Sequence, residues 1–149
     1  MAPFAPAPLD HVVATIRKEK PAVVFAPHVE TSAGMILPDS YIKAVSDAVH
    51  ESGGIFVLDC VASGALWIDM VALGVDVLLS APQKGWSASP CAGLVMLSER
   101  WLARVAETES SIYVCDVKKW LSIMPAYENG SMPIMQQCRL THFWCFVIR

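Results

Sequence analysis

The residues best suited to chemistry are a carboxylate and an amine, each placed just after an apolar run. Asp59 follows residues 55–58 (IFVL), and Lys84 lies in the proline- and glycine-containing segment 80–86 (SAPQKGW). An amine can condense with an aldehyde, and a carboxylate can hold a protonated ring nitrogen. Pyridoxal phosphate takes both groups from its protein, so the pair favours a site for that cofactor.

The elements that position these residues are predicted from hydrophobic patterning. Residues 22–26, 55–58 and 75–79 are short apolar runs, typical of strands buried on both faces. They alternate with two helices predicted by the spacing of apolar residues, one at about 9–19 and one that starts at Pro38 and Asp39 and is ended by Gly53 and Gly54. This alternation indicates right-handed βαβ units and a parallel sheet that is covered on both faces.

One later strand is expected to run the other way. Residues 93–97 follow the third strand after a loop that is too short for a helical crossover, so they should pair antiparallel with a neighbour. Ser98 can then cap a helix over about residues 99–107. The predicted fold class is α/β, with three layers formed by a mostly parallel sheet and helices on both faces.

The placement of the chemistry follows from this topology. The carboxyl ends of parallel strands share one edge, and ligands of open α/β sheets bind in the crevice beyond it. The first strand leads into residues 28–32, the second into Asp59, and the third into residues 80–84. The carboxylate and the lysine are therefore predicted to lie on one rim.

Three motifs carry a resemblance to the class V aminotransferases of the alanine–glyoxylate and serine–pyruvate group, which are pyridoxal-phosphate enzymes of fold type I. They are residues 28–34 (HVETSAG), 59–63 (DCVAS) and 80–86 (SAPQKGW), in the order of the family. The similarity extends from about Val23 to Gly130. The resemblance implies that the chain is a fragment of the large domain of such an enzyme.

The resemblance also implies roles for individual residues toward pyridoxal 5'-phosphate. Lys84 would be the catalytic Schiff-base lysine, and Asp59 the partner of the pyridinium nitrogen. Val61 would contact the face of the ring, Gln83 would neighbour the cofactor, and the hydroxyl of Thr31 would contact the ring.

The implied reaction is transamination of a small amino acid, alanine or serine, with a 2-oxo acid, glyoxylate or pyruvate, in a homodimeric parent enzyme. In the related cysteine desulfurases a histidine precedes the lysine, whereas Gln83 stands there here, which favours transamination over a lyase or desulfurase reaction. The phosphate-binding loop and the substrate-binding arginine of the family lie outside the matching region. The alternative is an inactive truncated fragment, a binding or folding remnant.

Domain boundaries are predicted from the same patterns. Residues 1–8 form a disordered, proline-rich start, residues 9–130 the partial aminotransferase large domain, and residues 131–149 a divergent tail without helix or strand periodicity. Hydrophobic residues make up 54% of the 149 residues and charged residues 17%, which suggests that packing partners are missing.

Composition also narrows the partners. A net charge of -3 without a basic cluster disfavours nucleic acid. No run reaches the ~18 apolar residues of a membrane span, and no secretory signal is recognisable. Five irregularly spaced cysteines fit reduced thiols, so we expect the cytoplasm, or an organelle whose targeting segment is not present here.

Two patterns of metal-binding residues each fall short of a complete site. His28 and Cys91 share part of a zinc deaminase signature, but position 94 is leucine where that signature needs its second cysteine. Residues 138, 142 and 145 offer two cysteines and a histidine, which is one ligand short of a tetrahedral site. We expect no metal.

Overall fold

A five-stranded mixed sheet forms the centre of the computed structural model, which describes residues 5–113, 115–130 and 144–148. In order across the sheet, the strands are β1 (Val23–Pro27), β4 (Ile55–Asp59), β5 (Val77–Ser80), β6 (Ala92–Leu97) and β7 (Trp144–Ile148). The first three run parallel, and β6 is antiparallel to β5. The predicted parallel core and the antiparallel strand near residues 93–97 are confirmed.

Helices cover both faces of the sheet. They are α1 (Leu9–Glu19), α2 (Asp39–Glu51), α3 (Met70–Leu73), α4 (Glu99–Ala106) and α5 (Val117–Glu128). Ile42 and Val49 of α2 pack with Phe56 and Leu58 on one face of β4. Alternate residues of β4 face the other way, against α4 and α5. The three-layer arrangement is therefore confirmed, and continuous apolar strands are its cause.

Helix boundaries follow local signals. The predicted capping role of Ser98 is confirmed, because its Oγ accepts a hydrogen bond from the amide of Trp101 at 3.2 Å. Helix α1 ends at Glu19 and is followed by Lys20, which adopts a left-handed conformation with φ of 46°. Helix α5, which periodicity did not indicate, contains Pro125, and proline inside a helix weakens the pattern.

A short hairpin separates β1 from α2. Its strands, β2 (Val29–Glu30) and β3 (Met35–Ile36), pair antiparallel and were not predicted. Two residues are too few to show an alternating pattern, so the sequence carries no signal for them. The hairpin follows directly on the end of β1, so it belongs to the rim where the candidate site lies.

The two ends of the chain differ from expectation. Tyr41 Oη donates a hydrogen bond to the carbonyl of Ala7 at 2.9 Å, so the predicted disordered start is held at that point. Within the tail expected to lack periodic structure, β7 pairs parallel with β6. Residues 144–148 (WCFVI) are a short apolar run of the kind that predicted the other strands, and the mixed composition of the tail around them concealed it. Residues 1–4, 114, 131–143 and 149 lie outside the described part of the chain.

No helix among the described residues combines the length and apolar character needed to cross a membrane.

Candidate active site

The end of β4 is held on both sides by its neighbours. In the register of the sheet, Asp59 stands opposite Pro27 of β1 and Leu79 of β5. The amide of His28 donates to the carbonyl of Asp59 at 2.9 Å, and the amide of Cys60 donates to the carbonyl of Leu79 at 2.8 Å. The backbone at Asp59 is therefore fixed at the carboxyl edge, as the topology predicted.

The side chain of Asp59 is exposed and oriented by its own loop. Its Oδ1 accepts a hydrogen bond from the amide of Val61 at 2.9 Å, the local turn that aspartate favours after a strand. The second carboxylate oxygen is left as a further acceptor. Val61 itself is half-buried.

The loop that carries Lys84 is closed by backbone hydrogen bonds. The amide of Ala88 donates to the carbonyl of Pro82 at 3.0 Å, and the amide of Ser87 donates to the carbonyl of Lys84 at 3.1 Å. Ser87 adopts a φ of 53°, in the left-handed region that a tight turn requires. The side chains of Lys84 and of neighbouring Gln83 are exposed on this turn.

Buried Ser80 joins the two loops at the end of β5. Its Oγ accepts a hydrogen bond from Trp86 Nε1 at 3.1 Å and donates one to the carbonyl of Cys60 at 3.4 Å. One hydroxyl thus contacts the loop of Asp59 and the loop of Lys84. The rings of Trp67 and Trp86 meet edge to face, with centroids 5.5 Å apart.

Two glycines allow the loops to approach each other closely. A Cβ at Gly85 would lie 2.7 Å from the amide nitrogen of Ala65, and one at Gly64 would lie 2.6 Å from Trp86 Nε1. Neither position has room for a side chain. The structure therefore brings the segment carrying Asp59 and Val61 against the segment carrying Gln83 and Lys84.

Thr31 lies on a third loop, the exposed turn between β2 and β3. Glu30 orders this turn, because its Oε1 accepts hydrogen bonds from the hydroxyl and the amide of Ser32, which lower the pKa of Glu30. Within the described residues, no hydrogen bond joins Thr31 to Asp59 or Lys84. Its role toward a cofactor stays a prediction.

A buried cluster behind the rim was missed by the sequence reasoning. His28 Nδ1 lies 2.7 Å from Ser63 Oγ and 3.8 Å from Cys60 Sγ. Burial lowers the pKa of His28 and raises the pKa of Cys60 to about 11. Both His28 and Ser63 belong to the recognised motifs, but no spacing signal connects residues so far apart.

In the described part of the chain, no group of three or more His, Cys, Asp or Glu side chains could hold a metal ion. Cys138 and His142 of the rejected three-residue pattern lie outside it.

Comparison with known proteins identifies related sequences. The family described as Aminotransferase class-V matches this chain over residues 7–143. The 2-aminoethylphosphonate–pyruvate transaminase of Syntrophobacter fumaroxidans is 30% identical over 114 residues, which are 74% of this chain and 30% of that protein. The alanine–glyoxylate aminotransferase of Oryctolagus cuniculus is 30% identical over 98 residues, which are 65% of this chain and 24% of that protein. The chain thus spans less than a third of the length of these relatives.

A solved structure shares the fold. The ureidoglycine–glyoxylate aminotransferase of Bacillus subtilis superposes with a TM-score of 0.65 at 22% sequence identity, covering 83% of this chain and 31% of that one. The likeness supports the three-layer arrangement of the mixed sheet.

Proposed function

Because this chain belongs to the class-V aminotransferase family, we propose that it carries the pyridoxal-phosphate site of an enzyme that transfers an amino group from a small amino acid to a 2-oxo acid. We propose alanine or serine as the donor and glyoxylate or pyruvate as the acceptor. One observation carries the proposal. Asp59 and Lys84 follow neighbouring parallel strands, on loops that contact each other through Gly64 and Gly85.

The residues present fit the cofactor. Pyridoxal phosphate needs an anion opposite its ring nitrogen and a primary amine near its aldehyde, and the rim offers an exposed carboxylate and an exposed amine. When bound, the cofactor withdraws electrons from the substrate and so makes its Cα proton acidic. Val61 would contact the face of the ring, Gln83 would lie next to the cofactor, and the hydroxyl of Thr31 would contact the ring.

Asp59 acts by holding a proton at the ring nitrogen. The amide of Val61 occupies Oδ1, which restricts rotation of the carboxylate and leaves the other oxygen as the acceptor. A negative charge there favours the protonated nitrogen, because an opposite charge stabilises the cationic form.

Lys84 acts as a base at the rim. Backbone hydrogen bonds hold the loop 82–88 in place. The exposed side chain of Lys84 can rotate on this fixed loop. In its neutral form, Nζ would take the proton from the substrate Cα and pass it to the former aldehyde carbon of the cofactor, and the reverse transfer would serve the second half reaction. Gln83, where cysteine desulfurases carry histidine, supports transamination in preference to a lyase or desulfurase reaction.

The test is covalent capture in the whole protein. After addition of pyridoxal phosphate, sodium borohydride should fix the cofactor to Lys84, and peptide mapping should locate the adduct there. Lys84→Arg should abolish the adduct, whereas Lys43→Arg should not, because Lys43 pairs with Asp47 on the surface of α2. An adduct at Lys43 or Lys118 would show that the site is misplaced.

Product analysis then distinguishes the reactions. Alanine with glyoxylate should yield pyruvate and glycine, and the Lys84→Arg variant should yield neither. Formation of alanine and sulfide from cysteine in the presence of a thiol reductant, without amino transfer, would instead favour a desulfurase.

We also propose that the whole protein is a homodimer. Trp67 and Val71, both in the segment between β4 and β5, are 82% and 93% exposed, and the Trp67 ring contacts Trp86 at the rim. Large exposed apolar side chains of this kind favour a protein interface. Light scattering should give twice the monomer mass, and Trp67→Glu should lower it. A monomeric wild type would contradict this proposal.

A further inference from the structure

His28 contacts the segment that carries Asp59 at both of its ends. Its main-chain amide donates to the carbonyl of Asp59 at 2.9 Å, where the segment begins. Its side-chain Nδ1 lies 2.7 Å from Ser63 Oγ, where the segment ends. His28 therefore contacts both ends of residues 59–63, the segment that includes Val61.

His28 is itself fixed. It is 3% exposed, and its carbonyl accepts a hydrogen bond from the amide of Leu37 at 2.9 Å. Ser63 is 5% exposed, so its hydroxyl is shielded from competing water. A buried polar pair of this kind costs stability unless both partners are satisfied, so each partner restrains the other.

The protonation state of His28 suits an acceptor role. Burial lowers its pKa, and this effect exceeds the opposing influence of Asp39. The neutral ring can carry its proton on Nε2, so that Nδ1 accepts the proton of the Ser63 hydroxyl. Burial also raises the pKa of Cys60, which keeps the nearby thiol neutral.

The position of Ser63 matters for the lysine loop as well. Gly64 follows directly, and a Cβ there would collide with the Trp86 indole and lie 2.9 Å from Ser80 Oγ. Movement of residue 63 therefore displaces the surface against which Trp86 packs. The hydrogen bond of His28 is thus in a position to influence both loops of the rim.

We propose that His28 and Ser63 are positioning residues, whose hydrogen bond holds residues 59–63 so that Asp59 and Val61 keep the arrangement that cofactor binding requires. The cofactor part of this inference rests on the proposed function. The restraint on residues 59–63 does not, and it can be measured on the chain itself.

The experiment measures amide hydrogen exchange by NMR. Ser63→Ala should speed exchange of the Val61 amide about tenfold, because loss of the buried partner frees the segment that holds this amide against Asp59. The matched control is Ser46→Ala, since Ser46 is also buried and donates to the carbonyl of Gly74 at 2.6 Å, ahead of the amino end of β5. The control should leave Val61 exchange at the wild-type rate.

A second pair of variants keeps the test decisive if Ser63→Ala fails to fold. His28→Asn places an amide oxygen near the position of Nδ1 and should preserve slow exchange at Val61. His28→Leu removes the acceptor and should not. Equal exchange of the Val61 amide in all variants would overturn the restraint.

The cofactor arm uses the whole protein and pyridoxal phosphate. Ser63→Ala should bind it about tenfold more weakly than Ser46→Ala, with His28→Asn close to wild type. Faster Val61 exchange with unchanged cofactor affinity would overturn the positioning role. If the wild type binds no cofactor at all, the proposed function fails, while the exchange data still decide the restraint.

Discussion

Trp86 Nε1 donates a hydrogen bond to Ser80 Oγ at 3.1 Å, which ties the loop that carries Lys84 back to the end of β5. The indole occupies the space that a side chain at position 64 would need. A substitution at position 64, in the loop that follows Asp59, therefore also displaces the loop that carries Lys84.

Gly64→Ala should displace the Trp86 indole, because the new Cβ would lie 2.6 Å from Nε1. We expect the free energy of unfolding to fall by about 1–3 kcal/mol, as for other overpacking changes. Urea unfolding followed by circular dichroism measures it. Gly93→Ala is the control, since a Cβ there meets no atom within 4 Å and should change stability by less than about 0.5 kcal/mol. Equal effects of the two changes would contradict the close packing of the loops.

Asp59→Asn should abolish most amino transfer while the protein stays folded. The amide oxygen can still accept from Val61, but the neutral group no longer favours a protonated ring nitrogen, so kcat should fall by orders of magnitude. Asp69→Asn serves as control, because Asp69 caps α3 by accepting from the amide of Ala72 at 2.9 Å. Steady-state kinetics of the whole protein decide the matter, and near-normal turnover would make Asp59 structural.

Stability at alkaline pH should depend on Cys60. Its ordinary pKa is 9.0, and burial raises it to about 11 in the folded chain. Between these values the unfolded chain releases a proton that the folded chain keeps, so the free energy of unfolding falls as the pH rises from about 9 to about 11. Below pH 9 this contribution is fully present.

Cys60→Ala should remove that dependence. The difference in unfolding free energy between wild type and variant should shrink by about 2 kcal/mol from pH 8 to pH 11. Comparing the two proteins cancels the titration of the other groups. A difference that stays constant across this range would show that the thiol is not held neutral by burial.

Asp76→Ala should be strongly destabilising. Asp76 is 1% exposed. It accepts hydrogen bonds from the amide of Phe56 at 2.9 Å and from Ser98 Oγ at 3.1 Å, and its Oδ2 lies 2.8 Å from His50 Nε2. Its removal leaves these groups without their acceptor, which should cost about 3 kcal/mol in urea unfolding. Asp47→Ala, which breaks an exposed pair with Lys43, should cost less than about 1 kcal/mol.

The sequence alone determined the main strands, three helices and the rim. Residues 55–58 form a buried strand because their apolar side chains must be covered on both faces of the sheet. A short continuous run of apolar residues is enough to predict this. The carboxyl-edge placement of Asp59 follows from parallel pairing, which short crossover helices enforce. The family resemblance rested on motifs that are contiguous in the chain, and residues 7–143 match that family.

Several elements of the structure were not predicted from the sequence. The two-residue strands β2 and β3 are too short to alternate, and α5 contains Pro125, whereas β7 is an apolar run that the mixed composition of the tail concealed. Each of these segments is stabilised by the element of the same chain against which it packs or pairs.

Only the tertiary structure decided which distant residues meet. His28 and Ser63 are 35 positions apart, and no local pattern specifies that one hydroxyl will lie 2.7 Å from one imidazole nitrogen. The close approach at Gly64 and Gly85 likewise depends on two loops that are brought together by the strands beneath them. Periodicity records which face of an element is buried, whereas contacts between loops arise from the packing of elements already formed.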